Sequence, residues 1–168
     1  MFSRTQGAAI SAVVLALGVG GYASATTGSH HHNKRADTSF TLSEKTTKFT
    51  YLNLGRKDQV VGDEVVLTSN LYLQGEGQVG SNAAVCTQVT RHREECQVTI
   101  SFAAGTSIVT HASTMTVQGI FDDRDNDDLF AITGGTGEFI GVGGQVDRTP
   151  VNDTKSINDF TVIPAPTP

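Results

Sequence analysis

The sequence predicts an all-β fold, an eight-stranded antiparallel up-and-down β-barrel. Three observations predict it. From Lys48 onward the chain falls into short runs of alternating apolar and polar residues, rich in Val and Thr and separated by turn residues. The connections are short, so consecutive strands pair antiparallel. The composition, with 18 Gly and no Trp, shows no sustained helical periodicity. Eight such strands close on themselves and leave no exposed edge. The bore of such a barrel is just wide enough for side chains or one small ligand.

Residues 1–25 read as a secretory signal. Arg4 is their only charge, Ala8–Val19 is apolar, and Ala23-Ser24-Ala25 is the small-x-small pattern that precedes cleavage. The apolar run is too short and Gly-rich for a span of about 20 residues, and no later stretch is a better candidate, so an exported chain without a membrane span is expected. Residues 26–47 are polar and aperiodic, and read as a disordered arm. Its run His30-His31-His32 is more simply a solvated tail than a metal site.

The barrel is expected over 48–163. Its first strand is Lys48–Leu54, with Phe49, Tyr51 and Asn53 on one face. After the polar connection Gly55–Gly62 comes Asp63–Leu73, with Val65, Leu67, Ser69, Leu71 and Leu73 on one face. Gln74-Gly75-Glu76-Gly77 makes a turn. Ser81–Thr90 and Cys96–Ala104 form a hairpin about Arg91–Glu95. Ile108–Phe121 follows, with a break near His111 and Ala112, then the acidic loop Asp122–Asp128. Leu129–Thr133, Glu138–Asp147 and Thr154–Ile163 complete the eight. The Pro-rich tail, residues 164–168, lacks the N–H donors to continue a ladder.

The two cysteines flank one hairpin turn. If Cys86 lies opposite Cys96, Ala84 faces Val98 and all four side chains share one face. In an exported chain this spacing predicts one disulfide rather than a metal site.

Charge and motif patterns exclude several functions. With 12 Lys+Arg against 17 Asp+Glu, the net charge is −5 and no basic stripe is present, so nucleic acid is not an expected partner. The run Gly134-Gly135-Thr136-Gly137 is followed by neither Lys-Ser/Thr nor a helix, so it reads as a bulged turn needing positive φ and not a phosphate cradle. Asp123, Asp125 and Asp127 alternate like the start of a calcium loop, but Asp128 and Gly134 stand where that loop needs Gly and an acid. His92 reads as a solvent-facing turn residue. His111 has no Ser or Asp at triad spacing. Asn152-Asp153-Thr154 is a glycosylation sequon, relevant only in a eukaryotic secretory pathway.

Three stretches in order carry a resemblance. They are Thr68-Ser69-Asn70-Leu71-Tyr72, Val79 through Cys86, and a third group. That group joins Val117-Gln118-Gly119 to Ala131-Ile132-Thr133-Gly134-Gly135-Thr136-Gly137-Glu138-Phe139 and Gly143-Gly144-Gln145-Val146. This pattern resembles the allene oxide cyclase family, whose barrel is shared with the dirigent proteins. The resemblance spans about Lys48 to Ile163. It implies an apolar cavity, no metal or organic cofactor, and a homo-oligomer, dimer or trimer. The plant cyclases look to use a Glu and an Asn two apart on the first strand, an Asn on the second, and a Cys. Here those positions look like Tyr51, Asn53, Ser69 (beside Asn70) and Cys86.

The resemblance therefore implies Tyr51, Asn53 and Ser69 as the polar, catalytic trio, with Phe49, Tyr51, Asn53, Leu67 and Ser69 as ligand contacts. The family's set is incomplete, because Tyr51 replaces Glu and a bridged Cys86 is no thiol. The expected function is a secreted barrel that holds a small hydrophobic, oxygen-bearing molecule and steers its cyclisation, isomerisation or coupling. The alternative is a lipocalin-like carrier without turnover, and a third is a structural barrel with a filled bore. A cavity in the structure separates the first two from the third.

Overall fold

The run Phe40, Leu42, Glu44, Thr46 alternates with polar residues and becomes the first half of a long strand, β1, Thr38–Leu52. The computed structural model describes residues 37–55 and 59–166. The expected signal, 1–25, and the expected arm as far as residue 36 lie outside the described residues. The rest of that arm is a correction, because Thr38 to Thr47 are strand and not tail. Local polarity concealed this, and the pairing explains it. One edge of β1 pairs with the last strand from Thr38↔Val162 to Lys45↔Lys155, and the other with the second strand from Ser43↔Tyr72 to Leu52↔Glu64.

The remaining strands are β2 Glu64–Leu73, β3 Gly77–Thr90, β4 Arg93–Phe102, β5 Ser113–Asp122, β6 Asp128–Thr136, β7 Gly143–Asn152 and β8 Lys155–Ile163. All neighbours are antiparallel and β8 pairs back on β1, so the eight strands form a closed up-and-down barrel. Closure satisfies every edge of the sheet. The expected strands at Ile108–Phe121 and Glu138–Asp147 start later, at Ser113 and Gly143, because loops occupy the intervening residues. Among the described residues no helix is long and apolar enough to cross a membrane.

Two irregularities decide where side chains point. A β-bulge between Thr46 and Lys48 shifts the register of β1 against β2. One extra residue reverses the alternation. Leu42 and Glu44 face the bore before the bulge, and Phe49 reaches it after. At the opposite end the glycine run finishes β6 and enters a one-turn 3-10 helix, Gly137–Phe139. Gly134 and Gly137 have φ of 145° and 62°, as their turn role requires. Gly135 does not have positive φ. A Cβ there would lie 2.2 Å from the Thr114 carbonyl oxygen, so close backbone approach demands this glycine.

That turn helps to plug one end of the barrel. Phe40 stacks on Phe160 at 4.7 Å, Phe102 meets Phe40 edge-on at 6.2 Å, and Phe139 closes on Phe102 at 5.1 Å. Val79, Met115 and Val109 pack around them, all fully buried. Between the β3 and β4 strands Cys86 lies opposite Cys96 and Ala84 opposite Val98, in the expected register, and the two cysteines are disulfide-bonded.

Candidate functional site

Above the aromatic plug the bore remains open as a cavity of about 380 Å³. Its walls are mostly apolar, with Val65, Leu67, Leu71, Val98, Ile100, Val117 and Phe130, and the Cys86–Cys96 bridge forms part of them. Its mouth lies at the end away from the plug, among Phe49, Glu94, Phe121, Asp153 and Thr154. The volume falls within the range of small-molecule sites, about 300–1,000 Å³.

One side of this apolar space is polar. Glu44, on β1, is buried. Its Oε1 accepts a 2.9 Å hydrogen bond from Nδ2 of Asn82 on β3. Its Oε2 accepts from Ser156 Oγ at 2.9 Å and Asn158 Nδ2 at 3.0 Å, both on β8. Arg148 on β7 places Nε 4.0 Å from Oε2. Burial alone would raise the Glu44 pKa. Asn82, the nearby Ser69 hydroxyl, Asn158 and the Arg148 charge outweigh it and hold the group below its ordinary value. Glu44 is therefore a carboxylate at neutral pH.

Arg148 is itself held. Its Nη1 donates to buried Asp128 at 3.3 Å, and its guanidinium lies 5.5 Å from the centre of the Phe121 ring. Desolvation pushes the Asp128 carboxyl up, against the pull of Arg148. Glu94, on β4 near the mouth, is also pushed up, by burial first and by the Asp123 charge second. The cavity thus faces two carboxyl groups whose surroundings move them in opposite directions.

The structure distributes the expected site residues unevenly. Phe49 and Leu67 line the cavity. Ser69 faces the bore, fully buried beside Glu44. Tyr51 sits at the rim, half-exposed. Its hydroxyl donates to Asp63, a carboxylate that also accepts from the Leu54 and Gly55 N–H groups and pushes the phenol pKa up. Asn53 lies beyond the end of β1 and is exposed. The trio is therefore not brought together. The face that carries Phe49 into the cavity is the expected one, but β1 ends at Leu52 beside the mouth, which leaves Tyr51 at the rim and Asn53 past the last paired residue.

An inward carboxylate does occupy the first strand, at Glu44, with Thr46 two residues on. Sequence reasoning missed Glu44, Asn82, Arg148, Ser156 and Asn158. A signal existed for two of the strands: Phe40, Leu42, Glu44 and Ser156, Asn158, Phe160 each put polar groups in phase with buried apolar ones.

Most carboxylates of the acidic loop have partners of their own. Asp122 is taken by Arg93 at 2.9 Å and Arg124 at 2.8 Å, Asp123 by His92 at 3.0 Å, and Asp127 by Thr149 at 2.9 Å, so the acidic carboxylates do not converge as calcium ligands would. Glu94 has a carboxylate oxygen within 4.8 Å of the Cys86 and Cys96 sulfurs, but a disulfide carries no thiolate charge for a metal.

No family model matches this chain, and neither does any curated protein. Solved structures do. A pyocyanin demethylase has a TM-score of 0.61 at 23% identity, over 74% of this chain and 99% of that one. The pterocarpan synthase dirigent protein PsPTS1 has a TM-score of 0.63 at 17% identity, over 79% and 97%. The Diels Alderase AbmU from Streptomyces koyangensis has a TM-score of 0.58 at 15% identity, over 77% and 64%. At these identities the likeness is one of fold. The chain shares their closed β-barrel fold.

Proposed function

We propose that the barrel binds a small, mostly apolar, oxygen-bearing molecule in its central cavity and steers that molecule's cyclisation, isomerisation or coupling. The single observation that carries this reading is a buried, ionised Glu44, braced by Asn82, Ser156, Asn158 and Arg148, on the wall of an otherwise apolar cavity. A filled structural barrel has no use for such a group, since burying charge and amides costs more than burying a hydrocarbon. Proteins that share the fold include a pyocyanin demethylase, a pterocarpan synthase dirigent protein and a Diels Alderase, and their names support this reading.

The chemistry available is mainly confinement. Rigid walls hold a flexible substrate in one reactive conformer, an entropic advantage of up to several kcal/mol. Glu44 anchors the polar end. With its pKa held low it is a weak base, so its part is to accept a hydrogen bond and orient. That weakness also favours the second reading, a carrier that binds the same molecule without turnover. Export, guided by residues 1–25, and assembly as a dimer or trimer belong to the same proposal.

Native mass spectrometry of protein purified from the medium into which its source secretes it tests the reading. A stoichiometric small-molecule adduct is the expected result, and its absence from freshly secreted protein and from protein exposed to source extracts would remove it. Incubation with the released compound or its precursors then separates the two readings, because only a cyclase changes the product distribution.

A further inference from the structure

We infer that Glu94 is the proton-transfer group of the cavity: its carboxylate removes a proton from the carbon beside a carbonyl of the bound molecule, and the Arg148 guanidinium receives the charge that develops on the carbonyl oxygen. The inference rests on the binding reading above. It names the substrate class, an apolar ketone with an enolisable C–H, and the reaction, an isomerisation.

Strand phase puts Glu94 on the inner wall. On β4 it alternates with Cys96, Val98 and Ile100, all of which line the cavity, while Arg93, Glu95 and Gln97 are exposed on the other face. One of its carboxylate oxygens lies within 4.8 Å of the bridge sulfurs in that wall. The side chain is half-buried, and among the described residues it forms no ion pair and accepts no hydrogen bond. Burial first and the Asp123 charge second push its carboxyl up, which makes the carboxylate a stronger base. Glu44 is the opposite case, since its short bonds to Asn82, Ser156 and Asn158 spend its basicity. Few groups face Glu94. Its ladder partners are Gln88 on β3 and Phe121 on β5. Its ionisable neighbours are Asp123, which is paired with His92, and Tyr51 on β1, which is bonded to Asp63.

Arg148 supplies the electrophile. Phe121 stands between the two groups: its backbone lies opposite Glu94, and its ring centre is 5.5 Å from the Arg148 guanidinium. All three side chains line the cavity. Arg148 Nη1 donates to Asp128, and Nε stands 4.0 Å from Glu44, beyond hydrogen-bond reach. The other N–H donors of the guanidinium remain for a ligand oxygen. The step is balanced. Glu94 takes the proton, the electron pair of the broken C–H bond passes into an enolate, and the Arg148 donors stabilise its oxygen. The Glu94 carboxyl then returns the proton to the same carbon, or to the far end of a conjugated double bond, and is a carboxylate again. No oxidant or reductant is consumed.

The probe is 2-tetralone, a bicyclic aromatic ketone, in deuterated buffer. Its C1 protons, next to both ring and carbonyl, exchange for deuterium whenever the enolate forms, and proton NMR follows their loss. Saturation transfer from the protein to the ring protons reports binding in the same sample. The expected result is exchange about a hundredfold faster than with the same concentration of acetate, the usual scale of a positioned base. After subtraction of the buffer rate it should rise with pD to a plateau, through a midpoint above the ordinary carboxyl value of 4.5. Glu94→Gln keeps the size and loses the base, so it should still bind the ketone and fall to the acetate rate. A bound ketone that exchanges no faster than with acetate, or a Glu94→Gln variant that exchanges like wild type, overturns the inference and leaves the cavity reading intact. A ketone that does not bind removes the cavity reading and the inference with it. If Glu94→Gln folds poorly, the wild-type profile decides, because a rate without a midpoint above 4.5 overturns the assignment.

Discussion

The carboxylate of Glu44 accepts a 3.0 Å hydrogen bond from the side-chain amide of Asn158, 114 residues further along the chain. The bond spans the seam where β1 and β8 close the barrel, beside the backbone pairing of Glu44 with Ser156. It makes one buried charge both a part of the closure and a part of the cavity wall, and several measurable consequences follow from that dual position.

Glu44→Gln should destabilise the protein at neutral pH. Its new NH2 confronts donors already aimed at a carboxylate, at a cost of about 1–3 kcal/mol. The pH dependence has a definite sign. The folded-state pKa lies below the ordinary 4.5, so the ionised group adds stability above that value and loses it as pH falls through the folded pKa. Urea midpoints of wild type and variant should therefore converge in the acid range and differ most at neutral pH. A gap that stays constant down the acid limb would show that Glu44 contributes no charge-dependent stability.

Ser69→Ala removes a buried hydroxyl that has no well-aligned partner. Its thermal stability without ligand should stay within about 1 kcal/mol of wild type, or rise. A loss of several kcal/mol would mean that the hydroxyl is a structural donor to Glu44.

Gly135→Ala should be far more damaging than Gly143→Ala. At position 135 a Cβ meets the Thr114 carbonyl at 2.2 Å, whereas at 143 it meets nothing within 4 Å. Gly135→Ala is expected to lose several kcal/mol through forced backbone movement, and the control almost none. Paired melting curves of the two variants check this, and equal melting temperatures would refute the close approach.

Replacing Cys86 and Cys96 together by Ser should cost about 2–3 kcal/mol, the chain-entropy expectation for so short a loop. The bridge lies in the cavity wall, so probe binding should weaken as well. Chemical denaturation with and without reductant measures the first effect, and fluorescence titration with 2-naphthylmethanol, an aromatic alcohol small enough for the cavity, measures the second.

Asn53→Leu should leave probe affinity unchanged, since Asn53 is exposed beyond the end of β1. Asn158→Leu should lower it, because it strips a donor from Glu44 and leaves part of a buried carboxylate unsatisfied. Titration of both variants with 2-naphthylmethanol compares them, and a loss confined to Asn53→Leu would reverse the assignment of the site.

Much of the barrel is legible in residue order alone. Strand alternation in Val65, Leu67, Ser69 and Leu71 places Ser69 inside, and the spacing of Cys86 and Cys96 sets the register of their hairpin. Local rules suffice there because a β-strand has a period of two and a short turn leaves one sensible pairing. The turn role of Gly134 and Gly137 is legible for the same local reason.

The site itself was decided by tertiary structure. The stretch from Thr38 to Thr47 looks like a tail until β8 lies beside it, since nothing near it in sequence pairs with its first residues. The bulge at Thr46–Lys48 reverses which side chains of β1 face inward, and a single extra residue leaves no mark in composition. The convergence of Glu44, Asn82, Arg148 and Asn158 depends on four strands meeting around a closed bore. Each residue alone reads as an ordinary polar position in a strand. Only closure buries them together, and burial is what turns an acid, an arginine and two amides into a site.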